Sequence, residues 1–476
     1  MEPLTPLAQA VDPPSTLPQL QEADRLEQQV IEFYQQGRYQ DGITLAQEVV
    51  KLRESVLGDH PQTATALNNL ALLYGTVGRY SEAELLYERS LRIRETQLGS
   101  EHLDTATSLN NLAELYRETG RYAEAEPLYH RSLAIREAQL GTAHPDTATS
   151  LNNLAALYQS MGRYGESEQL YQQALAIVEA QQGANPLDTA MSLNNLAELY
   201  REMGRYTEAE PLLKRSLAII ETQLGADHPY TARSLNNLAF LYDNLGRYTE
   251  AEPLYQRALG IIETQLGADH PYTALALNNL AGLYEAMARY SDAEPLYSRA
   301  LTIRETQLGS NHPDTATSLN NLAGLYDTMG RYREAEPLYQ RALGIMEAQL
   351  GSNHPTTATF LNNLARLYET MGRYSDAEPL YTRSLAILET QLGTDHPKTA
   401  QSLNNLALFY QTLGRYDEAE PLYQRSVQIY TDQLGENHPS TALVLNNLGG
   451  LYENSGRYRD AELLYQRSLE IRETQL

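Results

Sequence analysis

The four residues Leu-Asn-Asn-Leu occur ten times in this chain at a constant spacing of 42, beginning at Leu67, Leu109, Leu151, Leu193, Leu235, Leu277, Leu319, Leu361, Leu403 and Leu445. No insertion or deletion interrupts the series. A globular enzyme core has no reason to be periodic, whereas a stack of like units, each burying a face on its neighbour, requires it. The chain therefore reads as a solenoid. Its length of 476 residues would ordinarily suggest about three domains, but a stack can run to any length. Function is to be sought along an extended surface.

The segment Asn311–Ser352 shows what one unit contains. Pro313 suits the start of a helix, where the amide it lacks would be unpaired anyway. From Leu319 the apolar residues fall at Leu322, Ala323 and Tyr326, the spacing of one helical face. Gly330-Arg331-Tyr332 interrupts that helix, and Gly330 is free to take the left-handed conformation of a cap. A second helix carries Ala335, Leu338, Tyr339, Ala342, Leu343 and Ile345 and stops at Gly351. Two helices of about 16 residues, each about 24 Å long, fill the period.

The second helices carry two further signals. Ser81, Thr207, Thr249, Ser291, Ser375 and Asp417 each stand three residues before Glu84, Glu210, Glu252, Glu294, Glu378 and Glu420. That is the pattern of a reciprocal capping box. A proline follows the same position in most units (Pro127, Pro211, Pro253, Pro295, Pro337, Pro379, Pro421). It is expected in the first turn, where its missing N–H costs little.

The placement of Ala323, Tyr326, Ala335, Tyr339 and Ala342 resembles the small-and-aromatic signature of the tetratricopeptide repeat. The 42-residue unit, with Leu-Asn-Asn-Leu-Ala, Gly-Arg-Tyr, Ala-Glu-Pro-Leu-Tyr, Ile-Arg-Glu and Leu-Gly-x-x-His-Pro, is similar to the repeats of kinesin light chains. The likeness runs from Gln19 to Leu476 and includes no heptad coiled coil. It implies an all-α, right-handed superhelix of helix-turn-helix units that binds partner proteins, with the first helix of each unit on the concave wall.

The layout is then a proline-rich, disordered lead over residues 1–18, a degenerate capping unit over 19–58, and ten full units over 59–476. In the capping unit Glu27-Gln28 replaces the Asn pair, and the loop Gly58-Asp59-His60 is one residue short. Ala288 stands where the other units have Gly, at a cost of about 1 kcal/mol if the site needs positive φ. Pro186-Leu187 replaces the usual His-Pro. The last helix carries Leu464, Tyr465, Leu469 and Ile471, part of which a following unit would cover. End-to-end self-association through that end is one expectation, and a regulatory arm with an effector beyond Leu476 is another.

Composition narrows the function. Hydrophobic content of 42% supports a core, and a mean hydropathy of -0.48 gives a polar surface. No run approaches the ~18 apolar residues of a membrane span. The start lacks the charged and apolar regions of a secretory signal. Cysteine is absent, which excludes disulfides and Cys-based zinc sites and suggests the cytoplasm. A net charge of -25 argues against nucleic acid or an anionic membrane as partner.

Within each first helix, Leu67, Leu70, Ala71 and Tyr74 form the buried stripe, and Asn68 and Asn69 lie off it. A side-chain amide donates to a peptide carbonyl and accepts from a peptide N–H, so a ladder of them suits an extended main chain. For Asn68 and its equivalents, contact with a ligand and tying of adjacent units remain alternatives. Asn69, Asn111, Asn153, Asn195, Asn237, Asn279, Asn321, Asn363, Asn405 and Asn447 are the expected groove contacts. Selectivity is expected from the variable positions beside them, where nine acids face four bases. The richest stretch holds Glu198, Arg201, Glu202, Arg233, Phe240 and Asp243, and solvated charge is the alternative reading there. Kinesin light chains take acidic, tryptophan-bearing peptides in a basic groove; this wall departs from that and predicts a neutral or basic peptide.

Nine loop histidines, among them His60, His102, His144 and His312, recur once per unit with no second ligand nearby. Adjacent units are about 10 Å apart, too far to share an ion at ~2 Å. A structural loop role is expected. The 34 tyrosines are mostly periodic and read as packing residues with paired hydroxyls. No phosphate loop, Gly-x-Ser-x-Gly or His-Glu-x-x-His motif is present. The expectation is a non-catalytic scaffold without cofactor or metal.

Overall fold

The computed structural model describes residues 17–180 and 185–475. The lead expected over 1–18 lies outside the described residues as far as residue 16, and Pro18 already opens the first helix. Among the described residues there are twenty-two α-helices and no strand. The first four pairs are α1 (Pro18–Gln35) and α2 (Tyr39–Leu57), α3 (Pro61–Thr76) and α4 (Tyr80–Leu98), α5 (Leu103–Glu118) and α6 (Tyr122–Leu140), α7 (Pro145–Ser160) and α8 (Tyr164–Ala180). Then come α9 (Pro186–Glu202) and α10 (Tyr206–Leu224), α11 (Pro229–Asn244) and α12 (Tyr248–Gln265), α13 (Pro271–Ala286) and α14 (Tyr290–Gln307). The rest are α15 (Pro313–Thr328) and α16 (Tyr332–Gln349), α17 (Pro355–Thr370) and α18 (Tyr374–Gln391), α19 (Pro397–Thr412) and α20 (Tyr416–Leu434), α21 (Pro439–Asn454) and α22 (Tyr458–Gln475).

The first helix begins on a histidine, rather than on a serine or aspartate, in every unit except those of α1, where Leu17 offers no side-chain cap, and α9. His312 has extended backbone, and its Nδ1 accepts the N–H of Asp314 at 3.0 Å. The same bond forms at His60, His102, His144, His228, His270, His354, His396 and His438. Asn185 does the same work through its amide oxygen, on the N–H of Leu187 at 3.2 Å. Each first helix then ends in a left-handed glycine, such as Gly330 at φ +72°. Ala288 takes that conformation too, at φ +57°, alone among the described non-glycine residues.

Two expectations for the second helices fail. Ser81 and its equivalents lie one residue inside the helix, because the cap is the arginine of Gly-Arg-Tyr, and no side chain accepts from the first turn there. The glutamates of the supposed boxes are recruited elsewhere. Glu210 accepts Arg247 of the next unit at 2.9 Å and the hydroxyl of Tyr242 at 3.1 Å. The prolines sit in the second turn, not the first, on the exposed side of the helix.

That arginine is the rivet between units. Arg247 covers the ring of Tyr242 at 4.2 Å, pairs with Glu250 three residues on, and reaches back to Glu210. Arg121, Arg163, Arg205, Arg289, Arg331, Arg373, Arg415 and Arg457 repeat the arrangement. Beneath it, alanines and leucines at or near zero exposure form the stacked core.

Neighbouring first helices touch one another (α5 with α7, α7 with α9, α11 with α13, α15 with α17). Second helices are bridged by long ion pairs instead, such as Arg299–Glu263 at 2.6 Å and Arg425–Glu389 at 2.6 Å. The stack therefore curves with its first helices inward. It curves far enough to meet itself: each His-Pro loop from His270 onward lies on the Gly-Arg-Tyr turn six units earlier. His312 Nε2 meets the carbonyl of Thr76 at 2.8 Å, His396 that of Ser160 at 3.3 Å, and His438 that of Glu202 at 3.2 Å. The rings of His270 and His354 occupy the equivalent place over Gly37 and Gly120. Successive superhelical turns are in contact along this seam.

Candidate functional site

The inner wall of this coil is made by the first helices, and the Asn pairs divide into two sets on it. Asn111, Asn153, Asn363 and Asn447 each donate their amide to the first Asn of the preceding unit, at 2.8–3.2 Å (to Asn68, Asn110, Asn320 and Asn404). Asn69 is buried and donates at 3.2 Å to Glu27, which stands in for that Asn in the first unit. Glu27 is in turn held by the fully buried Arg53 at 2.8 Å. These five amides are engaged in joining units. Asn195, Asn237, Asn279, Asn321 and Asn405 are half-buried, and among the described residues none of their side chains makes a hydrogen bond.

The break in the ladder runs through α9, α11, α13 and α15 and recurs on α19. On α9, α11 and α13 the buried Asn194, Asn236 and Asn278 each retain an amide oxygen without a partner, as do Asn152 on α7 and Asn362 on α17. Unpaired buried amides are uncommon in folded proteins. Those oxygens are closed to solvent, so it is the half-buried amides of Asn195, Asn237 and Asn279 that an incoming main chain, with one donor and one acceptor per residue, can complement.

The charged residues expected on this stretch fall into one group with one outlier. On α9, Glu198 accepts Arg201 Nε at 3.0 Å, and the Arg201 guanidinium lies 4.6 Å from the ring centre of Phe240 on α11. Phe240 is 41% exposed, so a large apolar ring faces the lumen. Burial pushes the Glu202 carboxyl up, with a hydrogen bond from Gln159 opposing. Burial also raises Asp243, whose carboxylate has no ion pair or hydrogen bond among the described residues. Arg233 lies apart. It is seven residues before Phe240, about 10 Å along the helix, and stacks on Tyr230 at 5.0 Å.

Tyrosines of the second helices reach through the layer and hold wall residues from behind. Tyr297 bonds Glu285 at 3.0 Å, Tyr381 bonds Glu369 at 2.9 Å, Tyr423 bonds Gln411 at 2.9 Å, and Tyr129 bonds Glu114. Tyr255 occupies the same place behind Asp243, but the aspartate is one methylene shorter and the bond does not form. The period alone pairs these residues twelve apart, so this support was within reach of the sequence. The wall arginines are likewise engaged: Arg117 with Glu114, Arg366 with Asp327 at 3.2 Å. Carboxylates are left in excess.

The tetratricopeptide repeat model matches residues 20–96, 98–180, 188–263, 242–306, 272–348, 329–390, 356–412 and 398–474, nearly the whole chain. The chain belongs to the tetratricopeptide repeat family. A second tetratricopeptide model matches residues 152–223. No curated protein matches it. Among solved structures, BtubC (BKLC) from P. vanneervenii is 24% identical, with 49% of this chain and 92% of that one covered and a TM-score of 0.39. A putative kinesin light chain of Podosopora anserina with nearly identical TPR-like repeats is 29% identical over 43% and 97%, at 0.36. A Rap protein complexed with competence and sporulation factor is 15% identical over 87% and 98%, at 0.48. Tetratricopeptide solenoids generally mediate protein–protein interaction. Among the described residues no helix is long and apolar enough to cross a membrane.

Proposed function

We propose that this tetratricopeptide chain is a non-catalytic cytoplasmic scaffold that holds an extended peptide segment of a partner protein along its inner wall, centred on α9, α11 and α13. One observation carries the reading. The amides of Asn195, Asn237 and Asn279 are unengaged in the same stretch where Phe240 is exposed and Asp243 lacks a counter-ion. The amides take the visitor's main chain without reading its sequence. Phe240 offers an apolar anchor, and Asp243 with Glu202 favours a neutral or basic segment over an acidic one. Nucleic acid and membranes carry the wrong charge for this wall.

The test is to select peptides from a random displayed library and measure their affinity by fluorescence anisotropy. Replacing Asn195, Asn237 and Asn279 by Ala removes three hydrogen bonds at about 1 kcal/mol each, which weakens binding roughly a hundredfold. Far-UV circular dichroism should be unchanged. Undiminished affinity in that variant, or selection of acidic peptides only, overturns the reading.

A further inference from the structure

The place of the seam in the wall decides how anything reaches the inside of the coil. Each Gly-Arg-Tyr turn follows a first helix, and each His-Pro loop precedes one. The contacts at Gly37, Gly78, Gly120, Gly162 and Gly204 therefore join first helices end to start: α1 to α13, α3 to α15, α5 to α17, α7 to α19 and α9 to α21. A methyl group on any of these glycines would lie within 3.1 Å of the histidine or proline six units on. No layer of solvent fits between turns that close, and the joined histidines are 4–8% exposed. Within a turn, neighbouring first helices touch and the second helices back them. The inner wall is thus continuous both around the coil and along it. The same offset sets its width. One revolution takes about six units, and six helices with axes ~10 Å apart form a ring of ~10 Å radius. Side chains reach ~5–6 Å from each axis, which leaves a bore roughly 8–10 Å across. One extended chain, about 5 Å by 10 Å in section, fills it. A helix of about 10–12 Å diameter does not fit, nor do two strands side by side.

We infer, resting on the inner-wall reading above, that the partner segment is a free chain end: a disordered, neutral or basic tail that enters along the axis of the coil. A loop of a folded partner is excluded on two counts. It would bring two strands through one bore, and the joined turns close the side of the coil to it. A tail has neither difficulty, and it arrives without secondary structure to undo. Phe240 on α11 and Leu408 at the same position on α19 are 41% and 44% exposed and line the route. The engaged amides of Asn153 and Asn363 tie neighbouring units and keep the bore at one width.

Thiol labelling of the full chain tests this. The chain has no cysteine, so Phe240→Cys and Leu408→Cys each place a single thiol on the inner wall. Leu85→Cys, on the second helix α4 at a position 66% exposed, is the control. Two probes share a neutral Gly/Ser peptide of about 20 residues, a flexible coil. One carries a maleimide at a free end and a folded domain at the other end. The second carries the maleimide at mid-chain and a folded domain at each end. The doubly blocked probe reaches the wall only in the small fraction of molecules whose seam has opened, so it should label both wall thiols about a hundredfold more slowly than the free-ended probe. Both probes should label Leu85→Cys alike. Three results overturn the proposal: equal rates for the two probes at the wall thiols, a free-ended probe that fails where N-ethylmaleimide reacts, or wall thiols that N-ethylmaleimide does not reach. Neither probe uses the asparagine amides. Failure of the inner-wall reading therefore shows separately, as peptide affinity that survives the Asn195, Asn237 and Asn279 substitutions.

Discussion

Ala288 shows what the repeat demands of a single residue. Ten other units fill this position with glycine, and the turn requires φ near +70° whichever residue is present. A Cβ there meets the following carbonyl, at a cost of about 1–2 kcal/mol, while glycine carries a backbone-entropy cost of about 0.5–1 kcal/mol. Ala288→Gly should therefore raise stability by about 0.5–1 kcal/mol in urea unfolding. No gain would mean that the turn has relaxed around the methyl. Histidine at the cap is the second lesson at this scale. Its Nδ1 must be unprotonated to accept from the helix, and that fixes the proton on Nε2, where the seam uses it.

At the scale of the element, the turn between paired helices has one conformation and two environments. Gly78 and Gly414 have φ of +75° and +72°, so a methyl strains both equally. At Gly414 nothing else is near, whereas at Gly78 Pro313 Cδ lies 2.9 Å from where the methyl would sit. Gly414→Ala should cost about 1 kcal/mol, and Gly78→Ala at least about 1 kcal/mol more through overpacking. Equal losses in thermal unfolding would count against contact between turns. The helices themselves were legible in the sequence, since Pro313 starts one and Gly330 and Gly351 end two, and local backbone chemistry decides such points. The capping boxes do not form, because serine and glutamate at the right spacing say nothing of Arg79, which caps the helix two residues before Ser81. Among site residues, Asn111 and Asn195 are indistinguishable by local sequence. Which of them is spent on its neighbour depends on the small offset between units.

At the scale of the whole molecule, the seam couples shape to pH. Burial draws His270, His354, His396 and His438 down to about 4. Histidine in the unfolded chain titrates at about 6.5. Between those values the unfolded state binds more protons, so stability is fully present above about 6.5 and is lost as pH falls towards 4. Each such histidine contributes a slope of about 1.4 kcal/mol per pH unit in that window. His396→Asn/His438→Asn should flatten the acid limb of urea-unfolding midpoints, while His102→Asn, on an exposed loop, should leave it in place. An unchanged limb in the first variant would mean the seam histidines do not drive the acid transition. None of this was visible in the sequence, because the pitch of the coil is the sum of rotations too small to read from any one unit.

Contacts between residues 236 apart also set an order of events during folding. An open stack can nucleate anywhere and grow by neighbour-to-neighbour addition, with little loss of chain freedom at each step. The latches over Thr76, Ser160 and Glu202 become available only once six further units are in place, so they are the last bonds to close and the first to open. A chain emerging residue by residue from synthesis would pass through a springy, unlatched single turn before its second turn locks the first.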